Sequence, residues 1–219
     1  ALNTPMTPGP LAHTHFAIEV LAILAFALAG LIEGARRQLD VVGLFASAGL
    51  TAFGGGTLRD VLLDRRPFFW VEHATWLWVL LLLCAATGLF LRERHLSLTE
   101  RAMQWPDAVG LGLFAAGGTQ LALDLAMPPI VAVLMGVVTA VGGGMLRDIV
   151  LNEVPRALHD HRPYALCAFV GGWVLVAAQY LGATPEMALL LAAVSTFALR
   201  AAAVLTGWEL PRWNPGDKG

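Results

Sequence analysis

Apolar residues in this chain come in long unbroken runs rather than in alternation. A helix crossing a bilayer needs about 20 mainly apolar residues, and seven stretches approach that length. They run from about His15 to Glu33, Val41 to Leu63, Ala74 to Leu91, Pro106 to Leu125, Ile130 to Leu151, Tyr164 to Leu181 and Pro185 to Thr206. Continuous apolarity at this length predicts helices. Membrane-spanning strands would read as alternating segments of about ten residues. The expected fold is an all-α membrane protein. The last run is the weakest, because Arg200 interrupts it; that side chain must snorkel or face protein.

The pattern also repeats. Thr51 to Leu63 reads TAFGGGTLRDVLL, and Thr139 to Leu151 reads TAVGGGMLRDIVL. The offset is 88 residues, 9 of 13 positions are identical, and Pro67 matches Pro155 at the same spacing. Phe26, Ala27 and Gly30 likewise map onto Phe114, Ala115 and Gly118. Each repeat therefore holds three spans. An odd number turns the second unit over, giving a 3+3 inverted repeat followed by one C-terminal helix. The expected division is a tail (1–14), a first unit (15–91), a cytoplasmic linker (92–105), a second unit (106–182), a seventh helix (183–206) and a tail (207–219).

Each repeated element combines residues that sit badly in an apolar helix. A glycine costs roughly 1 kcal/mol relative to alanine in a helix interior. Arg or Asp costs on the order of 2.5–3.5 kcal/mol at the bilayer centre. The triplets Gly54, Gly55, Gly56 and Gly142, Gly143, Gly144 serve either close helix packing or a break in the helix. Two symmetric copies, each followed by charge, favour a break beside a polar path. Arg59, Asp60, Arg147 and Asp148 are either structural ion pairs or charges along that path. Neighbours on a helix point in different directions, so each arginine is expected to pair with another helix. Glu19 reads as an interfacial or a pore residue. Ser47, Thr51 and Thr139 supply candidate hydroxyl ligands, and the triplets candidate carbonyls.

Composition agrees with a bilayer. Hydrophobic residues make up 57 % and charged residues 14 % of the chain, and the mean hydropathy is +0.67; soluble domains are near a quarter charged. A net charge of -2 gives no reason to expect a nucleic-acid partner. Loops and tail on the side opposite the N-terminus hold Arg36, Arg37, Arg92, Arg94, Arg101, Arg156, Arg162, Arg212 and Lys218, against Arg65 and Arg66 on the other. The positive-inside rule places the N-terminus outside and the C-terminus in the cytoplasm of a cell with this protein in its inner membrane. Residues 1–15 carry no Lys or Arg and do not read as a signal peptide. Met6 is a candidate native start. Trp70, Trp76, Trp78, Trp105, Trp208 and Trp213 fall near run ends, as an aromatic belt does. Cys84 and Cys167 read as buried free thiols. His159, Asp160 and His161 lack a separated partner set for a metal site. No nucleophile–base set accompanies the aspartates, so no enzyme and no cofactor is expected.

The doubled GGGxLRD, the Pro67-Phe68-Phe69-Trp70 after its first copy and the 3+3+1 pattern resemble the prokaryotic TRIC (trimeric intracellular cation) channels over roughly residues 15–206. The resemblance implies a homotrimer in membrane lipid with one pore per protomer. It implies kinks at both glycine triplets and permeation of monovalent cations, chiefly K+, with Na+ admitted. The alternative is a secondary transporter of a small solute such as an amino acid, which inverted repeats and broken helices fit equally well.

Overall fold

The computed structural model describes residues 10–90, 100–159 and 161–211. The parts of the expected tails and linker at 1–9, 91–99 and 212–219 lie outside the described residues, as does Asp160. Nine helices occur among the described residues: α1 (Pro10–Arg36), α2 (Val41–Leu62), α3 (Phe69–Glu72), α4 (Thr75–Phe90), α5 (Glu100–Asp124), α6 (Pro129–Val150), α7 (Arg156–His159), α8 (Ala165–Tyr180) and α9 (Pro185–Thr206). No strand occurs among them. The long helices fall on the seven apolar runs, and the single-turn α3 and α7 lie at the same place after each repeated motif.

Local chemistry sets the ends. Asp40 caps α2 by accepting from the Gly43 N–H at 2.8 Å. Thr184 does the same for α9 through Met187, and Pro129 opens α6 at a position where its missing N–H costs nothing. Gln38, Asp64, Ala126 and Asn152 take left-handed backbone, two pairs each 88 residues apart. Each closes its helix in the same way. The N–H of Leu39 returns to Gly34 O and that of Met127 to Ala122 O. Arg65 and Glu153 likewise return to Asp60 O and Asp148 O.

Two expectations change. α5 begins at Glu100, so Pro106 lies inside the helix rather than opening it, and the helix invades the expected linker. The helix also runs unbroken through both glycine triplets. The expected break is absent; the glycines instead bring two helices together, as described below.

At the centre α1, α2, α5 and α6 pack on one another, α4 leans on α2, α8 on α6, and α9 on α5 and α8. Phe26 and Phe114, equivalent at the 88-residue spacing, meet with ring centroids 5.2 Å apart. Ionisable groups lie inside, among a core of small and apolar residues, and large apolar side chains lie outside. Leu21, Leu28, Trp78, Leu82, Leu190 and Val194 are exposed, while Glu33, Arg59, Asp60, Arg147, Asp148 and Arg200 are buried. That arrangement is what a bilayer requires, since ionisable groups there must face protein.

Among the described residues, four helices are long and apolar enough to cross a membrane: Phe16–Arg36, Val41–Leu62, Pro129–Val150 and Pro185–Thr206. Thr75–Thr87 and Ala165–Tyr180 are shorter apolar helices. α5 carries Gln104, Asp107 and Gln120, which are buried. It touches α1, α6, α8 and α9, so protein rather than lipid surrounds these groups.

Candidate functional site

The two repeated motifs meet at the crossing of α2 and α6. A Cβ built on Gly55 would strike the carbonyl oxygen of Thr139, and one built on Gly143 the carbonyl oxygen of Thr51. Gly54 lies against Gly143 and Leu146, and Gly142 against Gly55 and Leu58. The first two glycines of each triplet thus let backbone touch backbone, as small residues do where helices cross in bilayers. The third glycine differs. A Cβ on Gly56 would meet nothing nearer than Arg59 Nη2 at 3.8 Å, and one on Gly144 nothing nearer than Arg147 Nη2 at 3.8 Å. These positions are left open beside the arginines, and each lines a cavity.

The hydroxyl residues sit at this crossing but bond to their own surroundings. Thr51 Oγ1 donates to Ser47 O at 2.7 Å, Thr139 Oγ1 to Met135 O at 2.6 Å and Ser47 Oγ to Gly30 O at 2.8 Å. All three residues are buried, and none lines any of the cavities around the motifs described here.

The charges follow one plan twice, with a difference. Arg59 Nε donates to Asp60 Oδ1 at 2.8 Å, and its Nη2 donates across to Glu19 Oε1 on α1 at 2.9 Å. Arg147 Nε and Nη2 donate to Asp148 Oδ1 at 2.9 and 2.7 Å. Each arginine pairs with its neighbour in sequence; Arg59 also pairs with another helix, as expected, whereas Arg147 does not. The long side chain folds back at the helix end, where both groups of each pair are buried. Asp148 Oδ2 accepts from the Arg156 backbone N–H at 3.0 Å, and Arg65 lies 3.6 Å from Asp60.

Asp107 on α5 stands where Glu19 stands on α1, 88 residues on. It is one methylene shorter and accepts from Tyr164 Oη at 3.1 Å. Arg147 Nη1 is left buried without a hydrogen-bond partner. Arg200 faces protein, as its position demanded: it lies over the Tyr164 ring at 4.8 Å and reaches Pro163 O at 3.4 Å. These groups, with Gly144 and Arg156, line one cavity. Glu19, Gly56, Asp60, Phe69 and Trp70 line its counterpart beside the first motif, where Trp70 Nε1 donates to Thr57 Oγ1 at 3.1 Å.

Sequence reading missed the group that ties the two halves at one end. Glu33, 1 % exposed, accepts from Arg37 Nε at 2.7 Å, Arg36 Nη1 at 3.1 Å and Arg156 Nη2 of α7. Arg37 also donates to Glu153 at 2.8 Å. The Glu33-Arg36-Arg37 spacing was the available signal; Asp107 could have been found from Glu19 by the repeat. Cys84 and Cys167 are free and buried. No metal-holding group of His, Cys, Asp and Glu occurs among the described residues.

A multi-helix membrane protein with two glycine-mediated Arg-Asp centres is thus defined, and its fold is that of the TRIC cation channels. The structure matches one solved in work on the structural basis for conductance through TRIC cation channels, with a TM-score of 0.81 and 33 % identity over 91 % of this chain and 97 % of that one. It matches the TRIC trimeric intracellular cation channel orthologue from Rhodobacter sphaeroides with a TM-score of 0.78, again at 33 % identity, over 89 % and 98 % of the two chains.

The family model described as glycine transporter matches residues 16–92 and again 104–180, and the chain belongs to that family. A UPF0126 membrane protein of Vibrio cholerae is 34 % identical over 90 % of this chain and 81 % of its own length. The UPF0126 inner membrane protein YadS of Escherichia coli is 33 % identical over 92 % and 97 %.

Proposed function

We propose that this protein is a channel for monovalent cations, K+ chiefly and Na+ as well, with one path per protomer of a homotrimer in the inner membrane. All seven long helices cross the bilayer in this reading, as two inverted three-helix units and a final helix. The N-terminus lies outside and the C-terminus in the cytoplasm. The observation that carries the reading is the likeness, at a TM-score of 0.81 and 33 % identity over nearly the whole chain, to a TRIC cation channel. The double match of the family model, offset by 88 residues, supports the repeat.

The path runs through the crossing of α2 and α6. Contact of Gly55 with Thr139 and of Gly143 with Thr51 makes the described arrangement closed there. Opening separates the helices and exposes the hydroxyls of Ser47, Thr51 and Thr139 together with nearby carbonyls. Asp60 and Asp148 favour cations; Arg59 and Arg147 lie within the membrane field and confer gating or voltage dependence. Planar-bilayer recording of the purified protein in asymmetric KCl tests this. Unitary currents reversing near the K+ potential are expected, and their absence under any voltage overturns it.

The second reading, a carrier for a small amino acid, is favoured by the description of the family model. It predicts saturable uptake of labelled glycine into proteoliposomes without unitary currents.

A further inference from the structure

The cavity beside the second motif holds two arginines with unspent donors. Arg147 is 3 % exposed and its Nη1 has no hydrogen-bond partner; Arg200 is 5 % exposed and its Nε has none. A buried donor left unsatisfied is costly, and more so when it is charged. One orphaned donor would be a local defect. Two, from different helices and lining one cavity, form a site.

We propose that this cavity binds a small monovalent anion, chloride in size and charge, between Arg147 of α6 and Arg200 of α9. Three arginines (Arg147, Arg156, Arg200) and two aspartates (Asp107, Asp148) line the space; Arg147 pairs with Asp148 and Arg156 with Glu33, which leaves the charge of Arg200 in no close ion pair. A water molecule satisfies donors but not that charge. A dianion such as phosphate meets both carboxylates. The two donors are the Nε of one arginine and the Nη1 of another, not one planar fork, so they suit a spherical acceptor better than a carboxylate. The first motif has no such need: Glu19 supplies the second carboxylate to Arg59. Asp107, shorter and held by Tyr164, leaves that place to the anion. Bound there, the anion ties α9 to α6 beside the Arg156–Glu33 link. The inference does not depend on whether the protein proves to be a channel or a carrier.

The test is thermal melting of the purified full chain while potassium chloride replaces potassium gluconate at constant ionic strength, with line broadening of the chloride NMR signal as a direct measure of binding. A saturable rise in Tm is expected. Arg200→Gln should abolish the saturable component and the excess broadening. Asp107→Asn removes the facing negative charge and should lower the half-saturating chloride concentration roughly tenfold, which keeps the test alive if Arg200→Gln does not fold. A linear salt effect shared by all variants means water fills the space, and overturns the proposal. Stronger stabilisation by phosphate than by chloride at matched ionic strength overturns it too.

Discussion

Replacing Gly55 with alanine separates packing from bending as the purpose of the triplets. The added Cβ points at the Thr139 carbonyl oxygen, closer than any real contact allows. A backbone atom cannot rotate away, so α2 and α6 must part. Overpacking costs about 1–3 kcal/mol, and an immovable backbone neighbour places this site near the upper end. Alanine recovers roughly 1 kcal/mol of helix propensity over glycine, leaving a net loss of about 2 kcal/mol. For a chain of this size each kcal/mol moves Tm by roughly 2–4 °C, so a fall of roughly 4–8 °C is expected. Gly143→Ala meets Thr51 O in the same way and should match it. Gly56→Ala is the internal control. Its Cβ makes only ordinary contact with Arg59 at 3.8 Å, so the propensity gain stands and Tm should hold or rise by about 2–4 °C. The assay is melting of each purified variant in the same detergent. Equal Tm changes at Gly55 and Gly56 would refute the reasoning, because a hinge role makes the neighbouring glycines alike.

Glu19→Gln takes one of the two carboxylates from buried Arg59, which keeps Asp60, and should destabilise by about 1.5–3 kcal/mol, whereas Asp107→Asn, which breaks no close ion pair with Arg147, should cost less in the same melting assay. Asp60→Asn and Asp148→Asn should reduce the preference for K+ over chloride, read as a shift of reversal potential in a salt gradient. Arg59→Gln and Arg147→Gln should instead change conductance or voltage dependence; equal destabilisation in all four with unchanged selectivity would reduce these charges to structural pairs. A cysteine placed at Gly9 should react with an impermeant reagent from outside, and one at Gly216 only from the cytoplasm; labelling of both from one side would remove an odd number of spans.

The sequence by itself determined the helices and their doubling. Apolar runs too long for strands leave the backbone no way to satisfy its hydrogen bonds in lipid other than helix, and the duplicated motif carried the 88-residue spacing that the paired left-handed caps at Gln38 and Ala126 repeat. The choice between the two uses of the glycines was not local. A triplet is a weak helix by propensity, and only the opposing carbonyls of Thr51 and Thr139 turn that weakness into close packing of an unbroken helix. Pro106 reads as a helix start because the preceding residues are polar; the contacts of α5 carry the helix past it. The charge partners were equally hidden, since Glu19 and Arg59 lie 40 residues apart, and Glu33 and Arg156 lie 123 apart. The difference between the two centres, a satisfied Arg59 and an unsatisfied Arg147, depends on one methylene between Glu19 and Asp107 and on the nearness of Tyr164. Periodicity records which residues are buried, but which buried charges meet is decided only when the helices cross.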